Sequence, residues 1–249
     1  MLRNSVIGDV FIELSEIDST NNYAMQLINE GMAEHGMCIR ADFQTHGKGQ
    51  LGNTWQAEES KNLLFSIILD TQGFSLQKQF ELNAVACISM AELLMTSFTM
   101  KDICIKWPND IYAEGKKIAG ILIENNIRGT AWSNAVIGIG LNVNQQTFID
   151  VNRATSMYLL TGKTYKLNMV LKPFLKILNQ QFKKFQQNVE IIELYNSMLM
   201  NVGKTVMFKR NHEMYSGLLH GVDKQGNLEM SVQGKMKSFK HREVELMLD

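Results

Sequence analysis

The chain has 249 residues, 45% hydrophobic and 20% charged, a composition that gives a globular protein one sizeable core and room for a small appended domain. Twenty-five basic and 25 acidic residues cancel, which excludes the broad electrostatic footprint of general nucleic-acid or membrane-surface binding and leaves room only for a local charged site. Cys38, Cys87 and Cys104 are odd in number and fit neither zinc-ligand spacing nor a disulfide framework, so they read as buried thiols of a reducing compartment. The N-terminus lacks the apolar core of a signal peptide, and no apolar run reaches the ~18 residues of a membrane span, so a cytoplasmic protein is expected.

Val6 to Leu14 alternates as a first strand, running out at Glu16-Ile17-Asp18. Ser19 stands as the N-cap of a helix over Thr20 to Glu30, with Tyr23, Ala24, Leu27 and Ile28 at helical spacing and Gly31 as the stop. Ser19 and Thr20 therefore sit at a helix N-terminus, serving either as caps alone or as donors to a polar ligand. Met37 to Phe43 and Asn62 to Leu69 read as the next strands, the second buried on both faces.

Between them, residues 42–56 form a polar stretch punctuated by Gly47, Gly49 and Gly52, with Lys48 at its centre. Glycines there let a chain wrap closely around a ligand and turn its N–H groups inward. Gly47 to Gly52 also matches the dinucleotide fingerprint, but residues 53–61 are too few and too polar for the helix that motif requires. The remaining alternatives are a binding loop and an exposed hairpin, and Trp55 weighs against the exposed one.

Gln79 to Phe98 has the apolar period of a long helix packed on the sheet. Ile103 to Trp107, Ile111 to Ala113 and Lys116 to Glu124 read as strands, the last two joined by a two-residue turn at Glu114-Gly115. Pro108 stiffens the corner Lys106-Trp107-Pro108-Asn109-Asp110, which gathers a lysine, an amide and a carboxylate. Gly120 marks a close approach to the sheet. Trp132 to Val143 loses side chains at Gly138 and Gly140 before Asn142, which suits either a ligand floor or a bulged strand.

Helical spacing returns from Val170 to Phe185, with Pro173 tolerable near the helix start, and again from about Val189 to Met200. From Asn201 the chain changes to short strands over Lys204–Lys209, Met214–Val222, Leu228–Val232 and Lys235–Phe239. The expected organisation is an α/β domain over 1–200 and a small β-barrel-like domain over 201–249, too small to be very stable without docking on the larger one.

Lys48, Lys106 and Lys117 are parts for handling phosphate, where cations stabilise charge on a transferring group and magnesium bridges oxygens. The five histidines are scattered, and no metal-ligand set is assigned. The Asp18-Ser19-Thr20-Asn21 segment, Gln44 with Gly47-Lys48-Gly49-Gln50 and Trp55, the Lys106 to Asp110 corner, Lys117 to Leu122, Gly138 to Asn142 and the Gly221 run together resemble the biotin-protein ligases, in order and over nearly the whole chain.

That resemblance implies an α/β (α+β) mixed-sheet catalytic domain with an SH3-like C-terminal domain. The implied reaction is ATP-dependent activation of biotin to biotinyl-5′-AMP, then transfer to a lysine of a biotin carboxyl carrier domain, the expected partner. It implies Ser19, Thr20, Asn21 and Gln44 on the biotin head group, Gly47, Lys48, Gly49 and Gln50 closing over biotin and adenylate, and Gly120 beside the biotin. Lys117 and Lys48 are the implied catalytic residues, Trp55 and Asn142 lie on the adenine side, and Lys106, Asn109 and Asp110 position the phosphates and Mg2+.

This loop departs from the arginine-rich loop of many members, with Lys48, Gln50, Leu51 and Asn53 at the arginine positions, so a weaker hold on the adenylate is expected. The first strand begins too near Met1 for a helix-turn-helix domain ahead of it, and no nucleic-acid partner is expected. Competing readings are a lipoate-protein ligase and a non-enzymatic biotin or nucleotide sensor. Pairing of two copies through a sheet edge is left open.

Overall fold

A computed structural model describes residues 6–149 and 153–247, apart from the side chain of Leu51. The first five residues, on which the absence of a signal peptide partly rests, and the Leu51 side chain lie outside the described residues.

The apolar segments of the first two thirds become β1 (Phe11–Ile17), β2 (Cys38–Gln44), β3 (Leu63–Asp70), β4 (Ile103–Lys106), β5 (Asp110–Ala113), β6 (Lys116–Arg128) and β7 (Ala131–Leu141). They join in one sheet ordered β1-β2-β3-β7-β6-β5-β4. β1 runs parallel to β2, connected through helix α1 (Thr20–Asn29), and the other neighbours are antiparallel. This is the mixed α/β sheet that the sequence led us to expect.

One face is covered by α2 (Gln79–Glu92) and, after a short α3 (Met157–Thr161), by the long α4 (Leu167–Gln186). Leu82, Val85 and Ala86 of α2 and Phe174, Leu178 and Phe185 of α4 share one core with Phe65, Ile67, Leu69 and Ile137 of the sheet. Burying each large side chain stabilises by ~1.5–3 kcal/mol. The helical stretch Leu76–Ser97 is long and apolar enough to cross a membrane by length and composition alone, yet it is mostly buried in this core. On the opposite face α1 sets Ala24, Leu27 and Ile28 on Ile39, Ile68 and Val136. Side chains alternate along a strand, so the positions after Val136 on that face are Gly138, which lies under Asn21 at the start of α1, and Gly140, beyond the helix.

Following α5 (Ile192–Ser197), the C-terminal segment forms β8 (Thr205–Arg210), β9 (Glu213–Val222), β10 (Leu228–Val232), β11 (Lys235–Phe239) and β12 (Glu245–Leu246), an antiparallel sheet ordered β11-β10-β9-β8-β12. It docks through specific contacts. Trp107 Nε1 donates to Gly226 O at 3.0 Å, and the Asn196 amide pairs with both backbone groups of Val222. Gly226 has φ +82°, and a Cβ there would stand 2.1 Å from the Phe80 ring, so the approach requires glycine.

Several boundaries differ from expectation. β1 starts at Phe11 because Gly8 adopts φ +96° and Ile7 is bonded through both backbone groups to the Asn179 amide of α4, outside the sheet. Pro173 lies inside α4, beyond its first turn. The expected helix over Val189–Met200 contracts to α5, since Met198 and Met200 bond instead with Ile105 of β4. α3 and β12 were not expected.

Candidate active site

The glycine face of the large sheet forms the floor of a cavity of about 1060 Å³, and the second sheet supplies part of its wall. Gly140 pairs in register with Gly120 of β6, and Gly138 pairs with Ser66 of β3. A Cβ on Gly138 would lie 2.1 Å from Asn21 Oδ1, and one on Gly140 would lie 2.3 Å from the Trp55 ring. Both glycines are therefore required by what rests on them.

One end of the cavity is neutral and polar. Ser19 is extended at the cap position, yet its side chain makes no capping bond, so the helix start is set by backbone shape. The Thr20 backbone N–H and hydroxyl both donate to Gln44 Oε1, at 2.8 and 2.9 Å. Ser66 donates to Asn21 Oδ1 at 2.6 Å, and the Asn21 amide donates to Glu124 Oε2 at 2.7 Å. Thr20, Asn21 and Ser66 are almost wholly buried, so each bond is made away from competing water.

The loop lies over this end as a short hairpin, with Lys48 opposite Thr54 and the Trp55 N–H donating to Gly47 O at 2.9 Å. Its Gly49 N–H is spent on Asn53 O and does not face the cavity, contrary to the expectation of inward-pointing N–H groups. Gly47 is buried under the Trp55 backbone, while Lys48, Gly49 and Gln50 line the cavity. Lys48 Nζ lies 3.2 Å from Glu124 Oε1, so a single carboxylate holds both the loop lysine and Asn21.

The other end is charged. Lys117 Nζ lies 2.7 Å from Asp110 Oδ1 and 5.5 Å from the centre of the Trp55 ring. Lys106 Nζ sits 5.8 Å from the Tyr112 ring centre, and burial holds its pKa below the ordinary lysine value. Asp110 and Glu245 oppose that shift, whereas Lys117 and Arg153 reinforce it. Within the corner each side chain takes a different direction: Lys106 to the cavity, Trp107 to the second sheet, Asn109 to Ile121 O and Asp110 to Lys117.

Most of the residues singled out from sequence line this cavity; Asn142 and Gly47 do not. Asn142 is buried at the end of β7 with its amide donating to Thr155 O and is not on the cavity wall; its Oδ1 has no partner. The Trp55 ring lies over Gly120 and Gly140 in mid-cavity beside Lys117, and its buried Nε1 is unpartnered. Sequence reasoning missed Ser66, Glu124, Arg153 and the cavity residues of the second sheet. Glu124 had a signal: an acid seven residues after Lys117 on a strand with glycine at position 120.

A glycine floor, a neutral polar end and an end bearing Lys106 and Lys117 in one cavity make a binding site suited to ligands with both uncharged polar and anionic groups. The sequence pattern of the biotin/lipoate A/B protein ligases matches residues 14–142, and the chain belongs to that family. Among relatives, it is 29% identical to the bifunctional ligase/repressor BirA of Bacillus spizizenii over 98% of this chain and 76% of that protein. Identity to the biotin–[acetyl-CoA-carboxylase] ligase of Mycobacterium tuberculosis is 25%, over 89% of this chain and 83% of that one. The biotin protein ligase of Aquifex aeolicus in complex with biotin and ATP superposes with a TM-score of 0.81 at 29% identity, covering 97% of this chain and all of that one.

Proposed function

We infer that the protein is a biotin–protein ligase, which activates biotin with ATP and transfers it to a lysine of a biotin carboxyl carrier domain. The observation that carries this is the single cavity in which a neutral hydrogen-bonding end adjoins a cationic end over a glycine floor, in a chain that superposes along its length on an enzyme holding biotin and ATP. The carboxylate oxygen of biotin attacks the α-phosphorus of ATP, the bond to the β-phosphate oxygen breaks, and pyrophosphate leaves. The amine of the acceptor lysine then attacks the acyl carbon of the mixed anhydride, and AMP departs with the bonding pair.

Thr20, Asn21 and Gln44, with Ser19, fit an uncharged head group rich in N–H and C=O, because Gln44 is held by Thr20 and Asn21 is held by Ser66 and Glu124. Lys117 stands where carboxylate and α-phosphate would meet, and its charge offsets the repulsion between two anions. Lys48, released from Glu124, would reach the same phosphate. Trp55 fits between the two substrates, not solely against adenine. Asp110 fits the needs of magnesium, which binds through one or two carboxylates plus nucleotide phosphates and needs no protein cage. Among the described residues there is no cluster of three His, Cys, Asp or Glu to form such a cage. Bound there, the ion would supply positive charge to offset that of the leaving pyrophosphate.

Three free cysteines suit the reducing cytoplasm, where carrier domains would be met. The open edge of β1 offers backbone groups for pairing with a second copy. The test supplies the protein with ATP, magnesium, a carrier domain and either biotin or lipoate. Pyrophosphate release and carrier labelling with biotin alone are expected; release with lipoate alone, or none with biotin, overturns the reading.

A further inference from the structure

The corner Lys106-Trp107-Pro108-Asn109-Asp110 is the hairpin between β4 and β5, and Lys106 pairs directly across it with Asp110. Both of these residues line the cavity, so the shape of the three residues between them decides where the two charges stand. The arms of the hairpin are fixed from either side. The Ile105 N–H donates to Met198 O and its carbonyl accepts from the Met200 N–H, each at 2.8 Å, while Asn109 pairs with both backbone groups of Ile121.

The apex is held from the helices. Pro108 lines the cavity, and its carbonyl oxygen accepts two hydrogen bonds of 2.9 Å, one from Asn83 Nδ2 of α2 and one from the Tyr195 hydroxyl of α5. Two donors use both lone pairs of a carbonyl, and Cys87 Sγ, a weak donor, stands 3.9 Å from the same oxygen. Tyr195 is wholly buried, its ring edge-to-face with Phe80 at 5.3 Å between centres. Phenylalanine would fill nearly the same space; what tyrosine adds is the bond to Pro108. The next residue, Asn196, ties α5 to Val222, so one short helix grips both the corner and the second sheet.

We propose that Tyr195 and Asn83 are positioning residues for the adenylation step, setting Lys106 and Asp110 in their working places by holding the Pro108 carbonyl between them. Neither touches a substrate. The proposal rests on the ATP-dependent ligase reading. A rotation of the peptide after Pro108, which the two bonds resist, would move both charged side chains, and a misplacement of ~1 Å costs up to ~100-fold in rate. The two bonds back each other up. With one donor removed the oxygen is still held; with both removed it keeps only the thiol of Cys87, and the peptide is free to turn toward water in the cavity.

The experiment is a double-mutant cycle in the full chain over Asn83→Ala, Tyr195→Phe and the two combined. Alanine favours the helix that carries Asn83, and phenylalanine keeps the buried ring, so the fold is expected to be retained, as circular dichroism would verify. Biotin-dependent pyrophosphate release should slow by less than about threefold in either single variant and by about tenfold or more in the double one. KM for ATP should rise in the double variant, with biotin affinity and the rate of transfer from preformed biotinyl-5′-AMP unchanged. Ile177→Val, in α4 on the face of the sheet turned away from the cavity, supplies a loss of core packing for comparison and should leave KM for ATP as it is. A further readout needs no turnover: hydrogen exchange of residues 105–111 should quicken in the double variant and stay native in Ile177→Val. Release that slows no more in the double variant than in Ile177→Val overturns the proposal, and so does slowing confined to the transfer step. If the native chain released no pyrophosphate with biotin, the ligase reading would fall, while hydrogen exchange would still decide whether Tyr195 and Asn83 hold the corner.

Discussion

Gly138 is occupied by its neighbour: the Asn21 carboxamide fills the space where a side chain would be. Gly138→Ala should displace that amide from Ser66 and Glu124, leaving a buried polar group unsatisfied at ~1–3 kcal/mol. Biotin affinity, read by calorimetry, should drop about 5- to 100-fold, while a binding constant within twofold of native would show that Asn21 is not oriented by this floor. Glu124→Gln is gentler. Its amide oxygen still accepts from Asn21, but the ion pair with Lys48 is lost. Both side chains are about a third exposed, so stability should change by less than ~1 kcal/mol. The effect should appear in the loop, as faster proteolysis of residues 47–53 and a few-fold faster release of biotinyl-5′-AMP; unchanged rates of both would remove Glu124 as the loop's anchor. The glycines were legible in the sequence because losing side chains in an apolar strand is unusual. Ser66 and Glu124 were not, because what they touch is set by register across β3, β7 and β6.

Among the elements, the Lys106 to Asp110 corner has the most distributed role. It was readable as a stiff turn gathering polar groups, but not as the joint between the two sheets, since nothing local marks Trp107 as the partner of Gly226. Trp107→Phe keeps most of the packing and leaves Gly226 O unsatisfied. Chemical denaturation should show a loss of ~1–3 kcal/mol, with the second sheet melting before the first; a single cooperative transition of native midpoint would mean that the hydrogen bond contributes nothing to docking. The misplaced start of β1 has a similar origin. Val6 and Ile7 alternate as a strand should, but Asn179, more than 170 positions away, captures the backbone of Ile7. Strands β9 to β11 were placed well because the turns between them carry glycines at 226 and 234, whereas β12 is only two residues long and has no pattern to read.

For the whole molecule, acid should be the weak side. His35 accepts a hydrogen bond from the Asp70 N–H through Nδ1, and burial lowers its pKa, with Asp70 partly opposing. His241, in the cavity wall, is lowered by burial and then by Arg242. A lowered folded-state value means that the unfolded chain binds more protons between that value and 6.5, so stability falls as pH drops through the window. The denaturant midpoint should decline from about pH 7 to about pH 5, and more shallowly in His35→Gln. Equal slopes for the variant and the native chain would show that His35 is not among the groups responsible.

The three tryptophans occupy three separately acting regions. Trp55 belongs to the hairpin over the cavity, Trp107 to the joint between the sheets, and Trp132 lies fully buried with its indole N–H on Asn125. Each is therefore an intrinsic fluorophore for a different event: substrate capture, sheet docking and global unfolding. Leaving one indole at a time, with phenylalanine in the other two positions, would give three separate emission signals, one for each event, without any attached label.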